Sequence, residues 1–496
     1  MENSRRNILI VIVSMIGICL CLAVVGLGVF GYFIPIDRIT SLISTDQPVV
    51  LEPVVSSPAP TQIADQPTPT SSHNQPSPTA DLADVSPTSI PTEAPPRVPI
   101  PPEIAAQMDA IETQVIVLRK LQPAGTVSRR LLSRDELRQK IETDFFEDYS
   151  TEEAQDDTLV LSALGLLEPG FDMFTFYQDL LSEQIAGQYD QTTKEMDVVQ
   201  ATGFGGTERL TYAHEYTHAL QDQNYDIENG LNYSSEACEE DSERCAAVQA
   251  LLEGDASMLE LDWFNNYATT QDLRDIQDFY QNYESPVYDN APAFLREDFI
   301  FPYIYGQAFV QYLYNIGGWE AIHDAYINLP VSTEQILHPE RYPHDLPVKV
   351  ESPDLLTLLG DEWRELDSGV MGEWYTYLIL AHGLEPSARL DDIEAQIASE
   401  GWGGDIYLIF YNEENESVLV VMHTNWESDN DARQFFDAFR KHSNTRFGNP
   451  TSSDSNRVTW NHFDGVTEIT LQDHFTTWVL APDEGTALLI RSALGQ

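Results

Sequence analysis

Positive charge is scarce in this chain: 26 Lys and Arg stand against 80 Asp and Glu, a formal net charge of −54. That balance excludes nucleic acid and anionic lipid as partners of the folded part, because cationic side chains dominate binding to both. It favours solubility and metal cations, and it carries no information about fold. Cysteine is scarce too, with four in 496 residues. Cys19 and Cys21 are preceded by Ile18 and Leu20, where a lipoprotein cleavage site carries a small residue, so lipidation there is the weaker alternative. Cys238 and Cys245, in "ACEEDSERC", leave two readings open, a short disulfide loop or two free thiols.

From Ile8 to Ile36 no charged side chain occurs at all. The run exceeds the roughly 20 apolar residues needed to span a bilayer. No small-x-small site ends it, which argues against a removable signal peptide. With Arg5 and Arg6 on the short flank, the expectation is a cytoplasmic N-terminus over 1–7 and a transmembrane anchor over 8–36. The protein would then be a single-pass cell-membrane protein, N-inside, with its folded domains extracytoplasmic. From 44 to 102 Pro, Ser and Thr crowd out large apolar residues, as in "SSPAPTQIADQPTPTSSHNQPSPTADL". Such a stretch cannot bury a core and predicts a disordered stalk.

The remainder is long enough for real cores, and 42% hydrophobic composition agrees. Helical signals dominate 103–385. "SRDELRQKIETDFFEDY" opens with a capping box, Ser133 followed by Glu136. "IAGQYDQTTKEMDVVQA" places two short alternating runs around a polar turn and predicts a hairpin ending at Val199. The glycines of "TGFGGTE" lack the Lys-Ser/Thr of a phosphate-cradling loop, so they read as a turn from strand to helix. Over 386–496 the pattern changes. "GGDIYLIFYNEENESVLVVMHTNW" predicts strand, turn and strand, "DNDARQFFDAFRKH" an amphipathic helix, and "RVTWNHFDGVTEITLQDHFTTWVLA" further strands around an Asp464-Gly465 turn. This predicts a small α+β domain with no internal repeat and no catalytic constellation.

Into the helix after the glycine loop falls "TYAHEYTHAL". Residues i and i+4 stack on one helix face, so His214 and His218 aim at one point. Glu215 is rotated by about 100° from His214 and can reach a water activated at a metal without being a ligand. Two imidazoles for Zn2+ and a carboxylate as general base is the division of labour that metal-assisted hydrolysis needs. The flanking Ala213, Tyr216, Thr217, Ala219 and Leu220 are uncharged, and burying two histidines and a glutamate among them is costly without a purpose. Gln221 and Asn224 stand where the extended HExxHxxGxxH pattern needs Gly and His, which excludes that class. The better third ligand is Glu253 in "CAAVQALLEGDASMLELDWF". Ala246, Ala250, Ala256 and Ser257 share its helix face and would let two helices approach. Asp255 and Ser257 are candidates to buttress a ligand histidine, although Asp255 points away from Glu253 on a regular helix.

"HEYTHALQDQNYD", "LLEGDA" and "YGQAFVQYLYNIGGWEAIHDAY", with the "STEQILHPERY" tail, together resemble bacterial HExxH zinc metallopeptidases of the gluzincin clan, the thermolysin-like class. The resemblance spans roughly Ile185 to Tyr342. It implies Zn2+ held by His214, His218 and Glu253, Glu215 as general base, and an active-site hairpin whose edge could pair with an extended peptide. It also implies a Tyr or His donor for the oxyanion. Tyr305, in "FPYIYGQAFV", is the candidate, with Tyr303, His323 and His338 as competitors. The expected fold class is α+β: a mainly helical gluzincin-type domain with an active-site β-hairpin, then the small α+β domain. The expected function is a membrane-anchored zinc peptidase acting on peptide or protein substrates. The alternative is a catalytically silent surface module with a structural zinc site, which would have no use for Glu215.

Overall fold

A computed structural model describes residues 99–496 apart from positions 185, 201, 202, 464 and 496, with the side chains of 141 and 144–148 also outside the description. Helix α1 (Pro102–Arg119) begins with proline in its first turn and buries Ile104, Met108, Ile111 and Val115, a spacing of three and four that lays one face on the core. A three-stranded sheet follows, with β1 (Ser128–Leu132), β2 (Gly187–Asp190) and β3 (Glu195–Val199) in the order β1-β3-β2. The predicted hairpin is therefore present, β2 antiparallel to β3, while β1 adds a parallel partner. The capping box at Ser133 also forms: Glu136 N–H donates to Ser133 Oγ (3.2 Å) and Ser133 N–H to Glu136 Oε2 (2.8 Å).

Three long helices build the middle of the molecule: α2 (Gly206–Tyr225), α3 (Ser242–Tyr267) and α4 (Ala293–Ile327), the last broken by the non-helical backbone of Gly318. Helix α3 is buried along most of its length and runs against both neighbours. Two of its small residues, Ala250 and Gly254, pack against α4. Gly254 faces Gly306 so closely that a methyl group on either would overlap the backbone opposite, that of Gly306 or of Ala250. Cys238 and Cys245 form a disulfide just ahead of and inside the first turn of α3.

A second, seven-stranded sheet consists of β4 (Trp363–Gly369), β5 (Trp402–Asn412), β6 (Ser417–Trp426), β7 (Ser452–Ser453), β8 (Arg457–His462), β9 (Gly465–Gln472) and β10 (Phe475–Ala481). Its order is β4-β5-β6-β10-β9-β8-β7, antiparallel throughout. Alternate residues supply two cores, as the two-residue period of a strand requires. Tyr407, Ile409, Val420, Met422 and Trp478 join the central core, and Leu408, Phe410, Leu419, Val421 and Val479 join an outer one with Ala487 and Ile490. The helix expected over 429–442 is present and runs on to Phe447. Residue 464 of the expected turn lies outside the described residues. Strand β4 precedes the expected domain boundary at 385/386, and residues 99–496 cluster as one unit. The chain is α+β and mostly helical, as expected.

The expectation of a membrane-anchored, extracytoplasmic protein is corrected. Among the described residues no helix is long and apolar enough to cross a membrane. Even the longest, α4, carries Arg296, Glu297 and Asp298 near its start, and the uncharged stretch that follows is made polar by Gln307, Gln311, Asn315 and several tyrosines. Segment 8–36, on which the expectation rested, and the greater part of the 44–102 stalk lie outside the described residues. Membrane attachment is not carried into the functional reading.

Candidate metal centre

Helix α2 presents His214, His218 and Gln221 on one face, and α3 presents Glu253 and Glu260 two turns apart. Where the faces meet, His214 Nε2 lies 3.2 Å from Glu253 Oε2, His218 Nε2 lies 3.1 Å from His214 Nε2, and His218 Nε2 lies 3.4 Å from Glu253 Oε2. All three residues are buried, His218 the most accessible at 9%.

The outer ring atoms fix the tautomers. Gln221 Nε2 donates to the Leu252 carbonyl (3.0 Å), so its Oε1 faces His218 and accepts from His218 Nδ1–H (2.8 Å). His214 Nδ1–H donates to Glu260 Oε2 (3.0 Å). Both Nε2 lone pairs therefore point inward at a carboxylate oxygen. Three acceptors so close and nearly dry cannot satisfy one another, and a cation among them removes the conflict. Their separations also match the edges of a tetrahedron, about 3.3 Å, around an ion with bonds of about 2.0 Å. His214, His218 and Glu253 thus form a group that can hold a divalent ion such as Zn2+.

The electrostatics agree. Burial alone would raise the Glu253 carboxyl, but the His218 and His214 imidazoles outweigh it and hold it down at about 2. Burial pulls the His218 imidazole down, and the Glu253 carboxylate more than reverses this, so its pKa lies above the usual histidine value. Glu260 is raised by burial against the opposing pull of His214. The pocket therefore favours added positive charge.

Behind the ligands stands a second ring. Asp255 accepts from Gln221 Nε2 (3.2 Å), from Arg119 Nε (2.7 and 3.0 Å) and from the Tyr326 hydroxyl (2.8 Å). Arg119 lies over the Trp319 ring at 4.5 Å. Asp255 does point away from Glu253, as helix geometry requires, and it buttresses His218 through Gln221.

Glu215 is 2% exposed, and its Oε2 accepts the Tyr189 backbone N–H of β2 at 2.8 Å. The candidate oxyanion donors have different partners. Tyr305 packs on Phe301 and Trp374, and burial, followed by the charges of Glu297 and Asp392, pushes its hydroxyl up to about 12. His323 shares a hydrogen bond with the Tyr225 hydroxyl (2.9 Å) and His338 with Glu373 (3.0 Å). Tyr303 lines a pocket with Gln249, Phe299 and Met371. Tyr233, by contrast, is buried where its hydroxyl is raised first by desolvation and then by the Glu253 carboxylate.

Sequence reasoning missed Glu260, Gln221 and Tyr189. Gln221 follows His214 by seven residues and Glu260 follows Glu253 by seven, a same-face spacing that was readable. A second acidic group, Glu334, Asp345 and Glu427, also surrounds a common point, and Arg341 Nη1 occupies it at 2.9, 3.3 and 3.0 Å.

Among known proteins, a family model described as a domain of unknown function (DUF8575) matches residues 359–491, the region of the seven-stranded sheet, which contains none of the metal-site residues. No curated protein and no solved structure matches the chain.

Proposed function

We propose that the protein is a zinc-dependent peptidase of the gluzincin kind, with His214, His218 and Glu253 holding the ion and Glu215 as general base. The observation that carries this reading is the inward convergence of two imidazole lone pairs and a carboxylate oxygen, with a second carboxylate beside them that is not part of the ligand set. A structural zinc site is closed by four protein ligands and needs no such base. Zinc, when bound, supplies Lewis acidity that polarises the scissile carbonyl and acidifies water.

The chain's own groups do the rest. Glu215 takes a proton from the attacking water at a carboxylate oxygen and returns it to the leaving amine. The Tyr189 N–H limits its rotation. Glu260 and Gln221 keep the two imidazoles in the binding tautomer. For the negative charge that develops on the carbonyl oxygen we assign the Tyr233 hydroxyl, a buried group whose pKa is raised first by desolvation and then by the charge of Glu253. Tyr305 has its known contacts with Phe301 and Trp374 instead.

Two measurements test the reading. The zinc-loaded protein, incubated with a diverse peptide library, is expected to cleave peptides, to stop when a chelator removes the metal, and to resume when zinc returns. A fully loaded protein that cuts nothing leaves the silent module as the better account. Within the active protein, Tyr233→Phe is expected to lower kcat by about 100-fold, the usual order for one oxyanion donor, with Tyr305→Phe near wild type. The reverse ranking would return the role to Tyr305.

A further inference from the structure

The hairpin touches α2 at three levels. At the first, Gly187 lies so close to the helix that a Cβ there would stand 2.8 Å from Thr211 Cγ2. At the second, the Tyr189 N–H reaches Glu215. At the third, the Tyr189 hydroxyl donates to Asp222 Oδ2 at 2.7 Å. Thr211, Glu215 and Asp222 are spaced by four and seven residues, so β2 runs along one face of the helix. One residue, Tyr189, thus holds the base with its backbone and the helix with its ring.

Asp222 gathers further partners. Lys194, in the hairpin turn, places its ammonium on both carboxylate oxygens at 2.9 and 2.7 Å. The Ile227 N–H reaches Asp222 Oδ1 at 3.3 Å at the start of the loop that carries Tyr233. Within that loop the Tyr233 N–H donates to the Ile227 carbonyl (3.1 Å), and Gln191 of the hairpin reaches the Tyr233 carbonyl (3.5 Å). The Asp222 side chain is 2% exposed. A single buried carboxylate therefore joins α2, the hairpin and the Tyr233 loop.

We propose that Tyr189 and Asp222 are positioning residues for the peptidase reaction: their side-chain bond clamps β2 onto α2, so that the Tyr189 N–H holds Glu215 and the Tyr233 loop keeps its place. The proposal rests on the peptidase reading for its catalytic consequence, though not for the clamp itself. The physical basis is that β2 is a four-residue edge strand, paired with β3 alone. On its other side, among the described residues, its polar bonds to the helix come from Tyr189, joined by Lys194 from the adjoining turn, while Gly187 packs on Thr211. Without the phenol–carboxylate bond the strand can lift, and the carboxylate of Glu215 loses a donor that orients it. A displacement of about 1 Å at a reacting group costs on the order of 100-fold in rate.

The test uses the full-length, zinc-loaded protein and reads four quantities: kcat, KM, zinc content and amide exchange over 187–190. Tyr189→Phe, the mildest change, is expected to lower kcat by about 10- to 100-fold with KM within about threefold and zinc still stoichiometric. Exchange at the Tyr189 amide should quicken. Asp222→Ala is expected to do the same or more, and Asp222→Asn, which keeps an oxygen for the phenol, should recover most of kcat. Wild-type kcat in Tyr189→Phe, or Asp222→Asn no better than Asp222→Ala, overturns the proposal. So does a loss of activity that follows zinc content alone. If wild-type protein cuts no peptide, the peptidase reading fails, and the exchange arm still decides the clamp: an unchanged Tyr189 amide in Tyr189→Phe rejects it.

Discussion

Glu215→Gln is expected to keep its metal and its fold and to lose catalysis by about 100- to 10,000-fold in kcat. The side chain is buried at 2% exposure, and glutamine matches it in size. The amide oxygen can still accept the Tyr189 N–H, so the local backbone need not move. What the amide cannot do is take a proton from water at neutral pH. Metal analysis alongside steady-state kinetics decides the matter. Loss of zinc in this variant would make Glu215 part of the binding set, and wild-type turnover would remove it from the mechanism.

His218→Ala has the other large effect, on binding rather than chemistry. Zinc is expected to raise the melting temperature of the unmodified protein, since a ligand at 1,000 times its Kd stabilises a fold by about 4 kcal/mol. Removing one of three donors should abolish that rise and bring peptidase activity down to background. Gln221→Ala leaves all three donors and removes the acceptor that orients His218, along with the amide's bonds to Leu252 and Asp255, so its affinity should fall by about 10- to 100-fold and its thermal response should return at higher zinc. A full stoichiometric zinc complex of His218→Ala, with an undiminished thermal response, would show that the ligand set is wrong.

How much of this was legible in the sequence depends on whether the signal sits in side chains or in the backbone. His214, His218 and Glu215 are readable because helix geometry alone brings them together. Glu253 is readable because its neighbours are small or apolar. Gln221 and Glu260 obey the same periodicity and needed only a further turn of the helix. Tyr189 gives no such signal, since the atom that holds Glu215 is a main-chain nitrogen whose place depends on the sheet. Tyr233 lies in a loop with no periodic signal, and Tyr305, chosen from a motif, packs on Phe301 and Trp374. In the sheet, β5, β6, β8, β9 and β10 announce themselves by alternating apolar residues. Edge strand β4, "WRELDSG", is half polar and does not, which hides that the sheet begins before residue 386.

The contact between Gly254 and Gly306 makes the metal centre answerable to a residue far away in the chain. With no side chain on either, the gap between α3 and α4 is set by backbone atoms, and nothing in it can be compressed. A methyl group introduced at 306 would act as a wedge against the Ala250 backbone, one helical turn from Glu253. The helix that carries the third ligand would be levered sideways with the other two left behind on α2. Gly306 is therefore a position where the smallest possible enlargement would spread a three-point grip, although its own side chain is a hydrogen atom and it binds nothing.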